Sequence, residues 1–565
     1  MNVPFNEYPR PQLRRNRWQN LNGEWRLTVK NYPEVGQEQG FTITVPFSPE
    51  CELSGVKIPS LTPDQTLFYE REFHLGKEDV LDKVLLHFGA VDATATVYIN
   101  GNQVGEHTGG FTPFTLDITP FIRVGENTLS VTVTDPTETR PQGRGKQLLH
   151  PNSIWYTAQS GIWQTVWLES VVKEYVQDIT VRPLFDEAAV WVKVETQAEE
   201  ITLQVTDGAE VIASYEGKEK EVTLPMPNFI AWSPENPKLY GLKITAGRDS
   251  VSSYFGMRKF SVESAEKGSK AKKRFYLNGK PYFLTGVLDQ GYYKQGLLTP
   301  PNEETVAGDL QMLKDMGFNC LRKHIKVEPL RFYYLCDKLG LLVMQDFVNG
   351  GDPYRFSVVA LRPFLHILTK DDKYEFFGRA DEWGRNQFTQ EARETVSALK
   401  NAVSICTWVP FNEGWGQFDA KKAYEWVKEI DPTRTVDSVS GWHDQGDDSS
   451  DFFSIHNYFT RLRVPKSKRA VILSEFGGYS MCVDDEGFGY RKYADKQELA
   501  AALTKLYEKK VAPLVKKGLS GAIYTQLSDV ESEINGLITY DRTTEKVDRE
   551  LMKKLNSLLT QGNEG

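Results

Sequence analysis

Two glutamates stand out for the chemistry their surroundings allow. Glu413 lies in Trp408-Val409-Pro410-Phe411-Asn412-Glu413-Gly414-Trp415-Gly416, and Glu475 in Val471-Ile472-Leu473-Ser474-Glu475-Phe476-Gly477-Gly478. Each follows a short apolar run and is flanked by aromatic residues and glycine. Two carboxyl groups about 5 Å apart are what double displacement at a glycosidic bond requires. One must be ionised to attack the anomeric carbon, and the other protonated to donate to the departing oxygen. Aromatic faces suit the C–H faces of a sugar ring, and glycine lets backbone approach closely. Taken singly, each glutamate reads more readily as an ordinary rim residue. The pair, in matching settings, points to catalysis.

The two carboxylates need a scaffold that makes them face each other. From about residue 275 short apolar runs alternate with helical stretches. The predicted strands are Tyr282–Val287, Asn319–Arg322, Leu341–Gln345, Val403–Trp408, Thr435–Val439, Phe452–His456, Ala470–Ser474 and Gly521–Thr525, with helical periodicity at Thr305–Met316 and Gln497–Lys510. Eight strand-then-helix units over about 290 residues predict a closed (β/α)8 TIM barrel. Reactive groups of such barrels sit at the C-terminal strand ends. Glu413 then follows strand four and Glu475 strand seven, opposite each other across the mouth. A doubly wound sheet is the alternative, but no phosphate-cradling glycine loop follows any strand.

The residues before the barrel read as all-β. Val91–Ile99 alternates and ends at the hairpin signal Asn100-Gly101; Leu129–Val133 and Ser160–Leu168 continue the strand texture. Residues 1–175 are therefore assigned to a β-sandwich. Residues 176–262, with strands at Ile179–Arg182, Val190–Glu195, Ile201–Val205 and Leu239–Thr245 and a breaker-rich loop at Trp232–Pro237, suit a small immunoglobulin-like β-sandwich. The charged stretch 263–274 reads as a solvated connection into the catalytic unit, 263–565.

Composition narrows the class. The chain has 565 residues, a net charge of −9 and dispersed basic residues, so no stripe of the kind that binds nucleic acid is present. No apolar run reaches the roughly 20 residues of a membrane span. The first residues lack a secretory signal, and the five scattered cysteines (51, 320, 336, 406, 482) do not make a disulfide framework. A cytoplasmic location is the expectation. The eight histidines show no metal-ligand spacing and no Gly-x-Ser-x-Gly elbow occurs. No cofactor is expected; a Mg2+ or Na+ ion beside the acid/base has no motif that demands it.

With these motifs in place, the chain resembles glycoside hydrolase family 2, the family of bacterial β-galactosidases, β-glucuronidases and β-mannosidases, over essentially its whole length. The resemblance is carried by Gly109-Gly110-Phe111, Ser160-Gly161-Ile162-Trp163, Phe255-Gly256-Met257-Arg258, Asn412-Glu413 and Ser474-Glu475-Phe476-Gly477. It implies a jelly-roll domain, an immunoglobulin-like domain and a barrel, and a homo-oligomer acting on a small carbohydrate or glycoconjugate. It also implies that Asn412 bonds the sugar 2-hydroxyl, Glu413 is acid/base and Glu475 nucleophile. Arg322, in Asn319-Cys320-Leu321-Arg322, would hold Glu475 ionised; a buried structural ion pair is the equal alternative. Tyr458, in Ile455-His456-Asn457-Tyr458, resembles the tyrosine that bonds the nucleophile, and His456 joins the candidates. Tyr524 or Trp415 is placed as the floor of the sugar site or as plain rim packing.

Three departures bear on the sugar. After Arg322 the chain reads Lys323-His324-Ile325-Lys326-Val327 where the family has a His-Tyr-Pro run, so its histidine is lost or displaced to His324, and two cations are expected near the pocket mouth. Trp155 stands where galactosidases and glucuronidases carry an aspartate, leaving Tyr156 or Asp289 to read the 4- and 6-positions. Glu533-Ile534-Asn535 replaces the Asn-x-Lys motif of glucuronidases. The reading is a retaining exo-β-glycosidase for β-galactosides. The alternative is a β-uronidase (galacturonide or glucuronide) in which Lys323, Lys326 or His324 pairs with the carboxylate. A non-catalytic carbohydrate-binding protein is the reading from another class.

Overall fold

The computed structural model describes residues 3–31, 39–264, 272–365, 367–483 and 487–560. Most of the expected connection at 263–274 lies outside the described residues. The first unit is a jelly-roll sandwich of two antiparallel sheets. One runs in the order Trp18–Asn20, Val166–Val171, Lys83–Phe88, Phe114–Asp117; the other Gln39–Val45, Gly23–Lys30, Thr66–Leu75, Gly125–Thr134, Thr94–Ile99, Asn102–Thr108. Alternation drives the packing: Ala95, Val97 and Ile99 face inward and join Trp25, Leu27, Leu86 and Phe88 in one core. Asn100 and Gly101 both take positive φ, 51° and 82°, which makes the tight hairpin turn that the sequence signals.

The run Ser160–Leu168, expected as one strand, is two. Gly161–Ile162 pairs with Val91–Asp92, and Val166–Val171 joins the four-stranded sheet. Between them the Trp163 indole turns to donate to the carbonyl of Gly110 (2.8 Å), and the Trp163 carbonyl accepts from Thr299 of the barrel (2.8 Å). The chain is diverted there to dock the sandwich on the barrel.

The second sandwich has a three-stranded sheet (Asp178–Leu184, Ala189–Glu195, Glu221–Pro225) facing a four-stranded one (Glu210–Gly217, Ile201–Asp207, Tyr240–Ala246, Asp249–Phe255). Its breaker-rich loop carries a fully buried Trp232 whose indole donates to the carbonyl of Asp337, tying this unit to the barrel.

The eight barrel strands, in chain order, are Leu284–Asp289, Cys320–Lys323, Leu342–Asp346, Ile405–Val409, Thr435–Val436, Phe452–Asn457, Ala470–Gly477 and Leu519–Thr525. All seven ladders between them are parallel. Strands five and six share no ladder; there Asp451 closes the ring by donating its N–H to the Val436 carbonyl (2.9 Å) and accepting the Val436 N–H on its carboxylate (2.8 Å). The expected eight strand-then-helix units are incomplete. Among the described residues helices follow six strands, and loops follow strands five and six; after strand five the Gly-, Asp- and Ser-rich 437–451 has no helical period. Leu284, Cys320, Leu342, Cys406, Ile472 and Ile523 fill the barrel interior. Their neighbours Leu321, Leu473, Ala522 and Tyr524 face the outer helices, as does Trp408 past a slip in the pairing of strand four. That two-residue alternation decides which side chains can reach the mouth. Among the described residues no helix is long and apolar enough to cross a membrane.

Candidate active site

Strand two sets the first cation. Cys320 points into the barrel and Leu321 out, so Arg322 points in and Lys323 out. Arg322 is fully buried and makes a forked pair with Asp346 at the end of strand three (both contacts 2.9 Å). Its Nη1 donates to Glu475 Oε1 (3.0 Å), and Nη2, already on Asp346, also donates to Asn412 Oδ1 (2.8 Å).

Glu475 reaches the pocket through a bulge. Pairing of strand seven slips between Ile455 and His456 on one side and between Leu473 and Phe476 on the other. The extra residue lets Ser474 and Glu475 both reach inward, while Phe476 packs outward. Ser474 Oγ accepts from Ser440 (3.1 Å), and Glu475 Oε2 accepts from Tyr458 (2.5 Å). Burial alone would raise the Glu475 carboxyl. His456, Arg322 and His324 outweigh it electrostatically, with the Tyr458 bond adding, and hold this acid below the usual carboxylate range.

Glu413 lies beyond strand four in a left-handed conformation (φ 50°), followed by Gly414 at 75°. This is a costly backbone for a glutamate. Its N–H is fixed by the carbonyl of Ser440 (2.9 Å). Burial raises its carboxyl above the ordinary value, and the charge of Glu475 adds to the rise; the His456 bond and Lys146 oppose it without cancelling it. His456 stands between the carboxylates. Its Nδ1 is 2.7 Å from Glu413 Oε1 and its Nε2 faces Ser440 Oγ (3.0 Å) and an Arg322 nitrogen (3.3 Å). Arg322 can only donate, so Nε2 accepts and the proton on Nδ1 is given to Glu413. Carboxylate oxygens of Glu413 and Glu475 and a ring nitrogen of His456 all lie within 4.8 Å of one another. That spacing would also suit a metal ion, but Arg322 already lies on Glu475 Oε1, so the chain itself supplies the positive charge.

Asn412 Oδ1 is taken by Arg322, yet its Nδ2 is buried without a partner. A buried unpaired amide donor at the pocket is costly unless a ligand completes it. Tyr458 stacks on Tyr490 with centroids 3.7 Å apart. On the other side Trp415 meets Trp155 (4.9 Å), lies parallel to Tyr354 (6.4 Å) and is edge-on to His324 (6.3 Å). His324 Nδ1 is anchored on Asp346 (2.9 Å), and burial, with Lys146 and Arg322 nearby, pushes the ring well below its ordinary pKa.

The structure thus brings together Glu413, Glu475, Asn412, Arg322, His324, His456, Tyr458, Trp415 and Trp155. It does not bring Lys323, Lys326, Asp289 or Tyr524 to the pocket, and the two cations expected at the mouth are absent from it. Lys323 points outward and is fully buried between Asp289 (2.5 Å) and Glu328 (2.8 Å). Burial lowers this amine, but the two carboxylates outweigh it and hold it above its usual pKa. Lys326 donates to the carbonyls of Gly291 (2.6 Å) and Leu298 (2.7 Å) and pairs with Glu328, and burial pulls it down to about 8. Asp289 is consumed by Lys323. Tyr524 sits on the outer face of strand eight against Phe476, and its inward neighbour Thr525 contacts Tyr458 instead (3.0 Å). Glu533 and Asn535 bond each other (3.0 Å), and Tyr156 donates to Glu533 (2.6 Å).

Sequence reasoning missed Asp346, Ser440, Tyr354, Tyr490 and Lys146. Lys146 comes from the first sandwich and lies 5.5 Å over the Trp415 ring and 5.3 Å over Tyr156. Its only sequence signal is the cationic, glycine-spaced Gly143-Arg144-Gly145-Lys146.

Three family models match in chain order. They are the sugar binding domain of the family 2 glycosyl hydrolases (residues 53–171), the model described as glycosyl hydrolases family 2 (174–258) and its TIM barrel domain (270–556). A curated relative, the β-galactosidase of Thermoanaerobacter pseudethanolicus, is 26% identical over 442 residues, covering 73% of this chain and 54% of its own. The chain spans about a third to a half of the length of the curated relatives it matches first. Among solved structures, a β-D-glucuronidase of Dictyoglomus thermophilum superposes with a TM-score of 0.77 at 19% identity, over 97% of this chain and 98% of the other. A galacturonate-bound family 2 β-galacturonidase of Eisenbergiella tayi gives 0.72 at 20% identity, over 98% and 99%. At such identities the superpositions show the shared fold.

Proposed function

Because the chain belongs to glycoside hydrolase family 2, we propose that it is a retaining exo-β-glycosidase working by double displacement. The observation that carries this reading is the Glu413–Glu475 pair: carboxylate oxygens within 4.8 Å, one acid held up and the other held down by its surroundings. Separation near 5 Å is the retaining geometry; an inverting pair must stand further apart to admit water between acid and base. Opposed pKa shifts are what divide the two roles.

In this mechanism a terminal sugar enters the mouth with its 2-hydroxyl on the orphaned Nδ2 of Asn412. Glu475, ionised on Arg322 and aligned by Tyr458, attacks the anomeric carbon. Glu413 gives its proton to the departing oxygen, and the glycosyl group is left esterified to Glu475. Glu413, now ionised and steadied by the His456 Nδ1–H, takes a proton from water as that water attacks the anomeric carbon. The sugar leaves with its β-configuration and both carboxyls return to their starting states.

The substrate class is a choice between a β-galactoside, favoured by family resemblance, and a β-uronide. The uronide reading loses Lys323 and Lys326, which are spent in buried pairs, and keeps His324, whose ring burial pushes well below its ordinary pKa. The test is the anomer formed first, followed by proton NMR during hydrolysis of a 4-nitrophenyl β-glycoside. The β-anomer is the expected product; the α-anomer appearing first would sink the mechanism.

A further inference from the structure

Lys146 is held over the barrel mouth by backbone contacts. The N–H groups of Arg144 and Gly145 both donate to the carbonyl of Asn349, which follows strand three (3.0 Å each), and the Lys146 carbonyl accepts from Tyr156 N–H (2.9 Å). Gly145 has a φ of 64°, and a Cβ there would stand 3.0 Å from the carbonyl of Ile325, so the loop depends on glycine to lie this close to the barrel. Arg144 donates from Nη1 to the Gly351 carbonyl (2.8 Å) and lies over Tyr354 (5.2 Å), while its Nε is buried without a partner.

The Lys146 side chain is 95% buried, being 5% exposed, and its ammonium rests on the faces of Tyr156 and Trp415. Among the described residues it forms no ion pair and no side-chain hydrogen bond. Glu413 and the acids bonded to the neighbouring Tyr156 and His324 are engaged elsewhere: Glu533 by Tyr156 and Asn535, Asp346 by Arg322 and His324, Glu413 by His456. Other buried lysines all hold an acid: Lys323 has Asp289, Lys326 has Glu328 and Lys546 has Asp529. The Lys146 Nζ keeps some contact with the open mouth, yet a largely buried cation without an anion is unfavourable, and aromatic faces offset only part of that cost.

The charge also works against the chemistry as it stands. Lys146 favours the ionised form of Glu413, the group that must hold a proton to act as acid. A second anion beside Lys146 would cancel that effect. Resting on the glycosidase reading above, we propose that Lys146 receives the carboxylate of the bound sugar, so that the preferred glycone is a β-linked uronic acid. The substrate then supplies the missing counter-ion and offsets the pull of Lys146 on Glu413.

The experiment compares kcat/KM for 4-nitrophenyl β-D-galacturonide, β-D-glucuronide, β-D-galactoside and 6-sulfo-β-D-galactoside on the full-length wild type, Lys146→Met and Lys146→Arg. Wild type should favour a uronide over the galactoside. In Lys146→Met the uronide-to-galactoside ratio should fall by about 100-fold, the loss expected when a buried charge pair is cut, and Lys146→Arg should recover part of it. Equal losses on all substrates, or a wild-type preference for the neutral galactoside, would overturn the proposal while leaving double displacement intact. Preference for the 6-sulfate over both uronides would overturn the carboxylate assignment. If wild type turns over no β-glycoside, the catalytic reading fails separately, and Lys146 is judged by thermal protection: galacturonate but not galactose should raise Tm in wild type and lose that effect in Lys146→Met. Equal protection by both sugars would count against it.

Discussion

On the side of the mouth formed by strands two, three, four, six and seven, every charge has its partner. Arg322 holds Asp346 and Glu475, and His456 joins Glu413 to Arg322. On the side closed by the first sandwich, Lys146 lies under aromatic rings without an anion. The difference separates two tasks. Groups that perform a reaction must hold fixed protonation states before substrate arrives, so their network is closed. A group that selects a substrate gains most when the substrate alone completes it.

The largest effect should come from opening the closed side. Glu475→Ala should lower kcat by about 10^4-fold or more, since no other group can form the covalent intermediate. Azide should restore turnover in that variant and yield a glycosyl azide of inverted configuration, detected by NMR. Arg322→Met should cost about 10^2 to 10^3-fold in kcat, in the range of other charge-stabilising groups. It should also destabilise the fold by about 3–5 kcal/mol in denaturant titration, because Asp346 and Glu475 lose their cation.

Two buried lysines sharpen the comparison through stability alone. Lys323→Met strands Asp289, leaves Glu328 with Lys326 alone, and should cost about 3–5 kcal/mol. Lys146→Met strands nothing and should leave Tm unchanged or raise it. A large stability loss in Lys146→Met would mean that this cation has a partner within the fold.

The pH profile gives a further, smaller effect. Activity needs Glu475 ionised, so its lowered pKa moves the acidic limb below the ordinary carboxylate range. It needs Glu413 protonated, so the raised pKa moves the basic limb above that range. Lys146 pulls Glu413 down, with His456 on the same side of the balance and Glu475 on the other. Removing Lys146 should therefore shift the basic limb of kcat/KM for a neutral glycoside upward. The smallest effect is expected at Tyr524→Phe, within about twofold of wild type in kcat/KM, as befits a group outside the mouth.

The fold was legible because period-two runs and helical runs alternate, and all eight barrel strands appear where those runs lie. Illegible were the split at Trp163, caused by a docking contact with Thr299, and the helix-free strands five and six. The reacting carboxylates were legible because each sits in one contiguous motif. Lys323 and Tyr524 were misplaced although the signal was present: if Arg322 and Thr525 point in, their neighbours must point out. Lys146 was beyond reach, since only the docking of a separate sandwich, through Gly145 against Ile325 and Asn349, brings it to the mouth.

The central claim is that Glu475 forms the covalent bond to the sugar. A 2-deoxy-2-fluoro-β-glycoside with a good leaving group slows breakdown of that ester, and peptide mapping by mass spectrometry locates it. The account predicts one sugar per chain, attached to the peptide containing Ser474-Glu475-Phe476. A label on any other carboxylate, or stoichiometric leaving-group release with no covalent adduct, would contradict it.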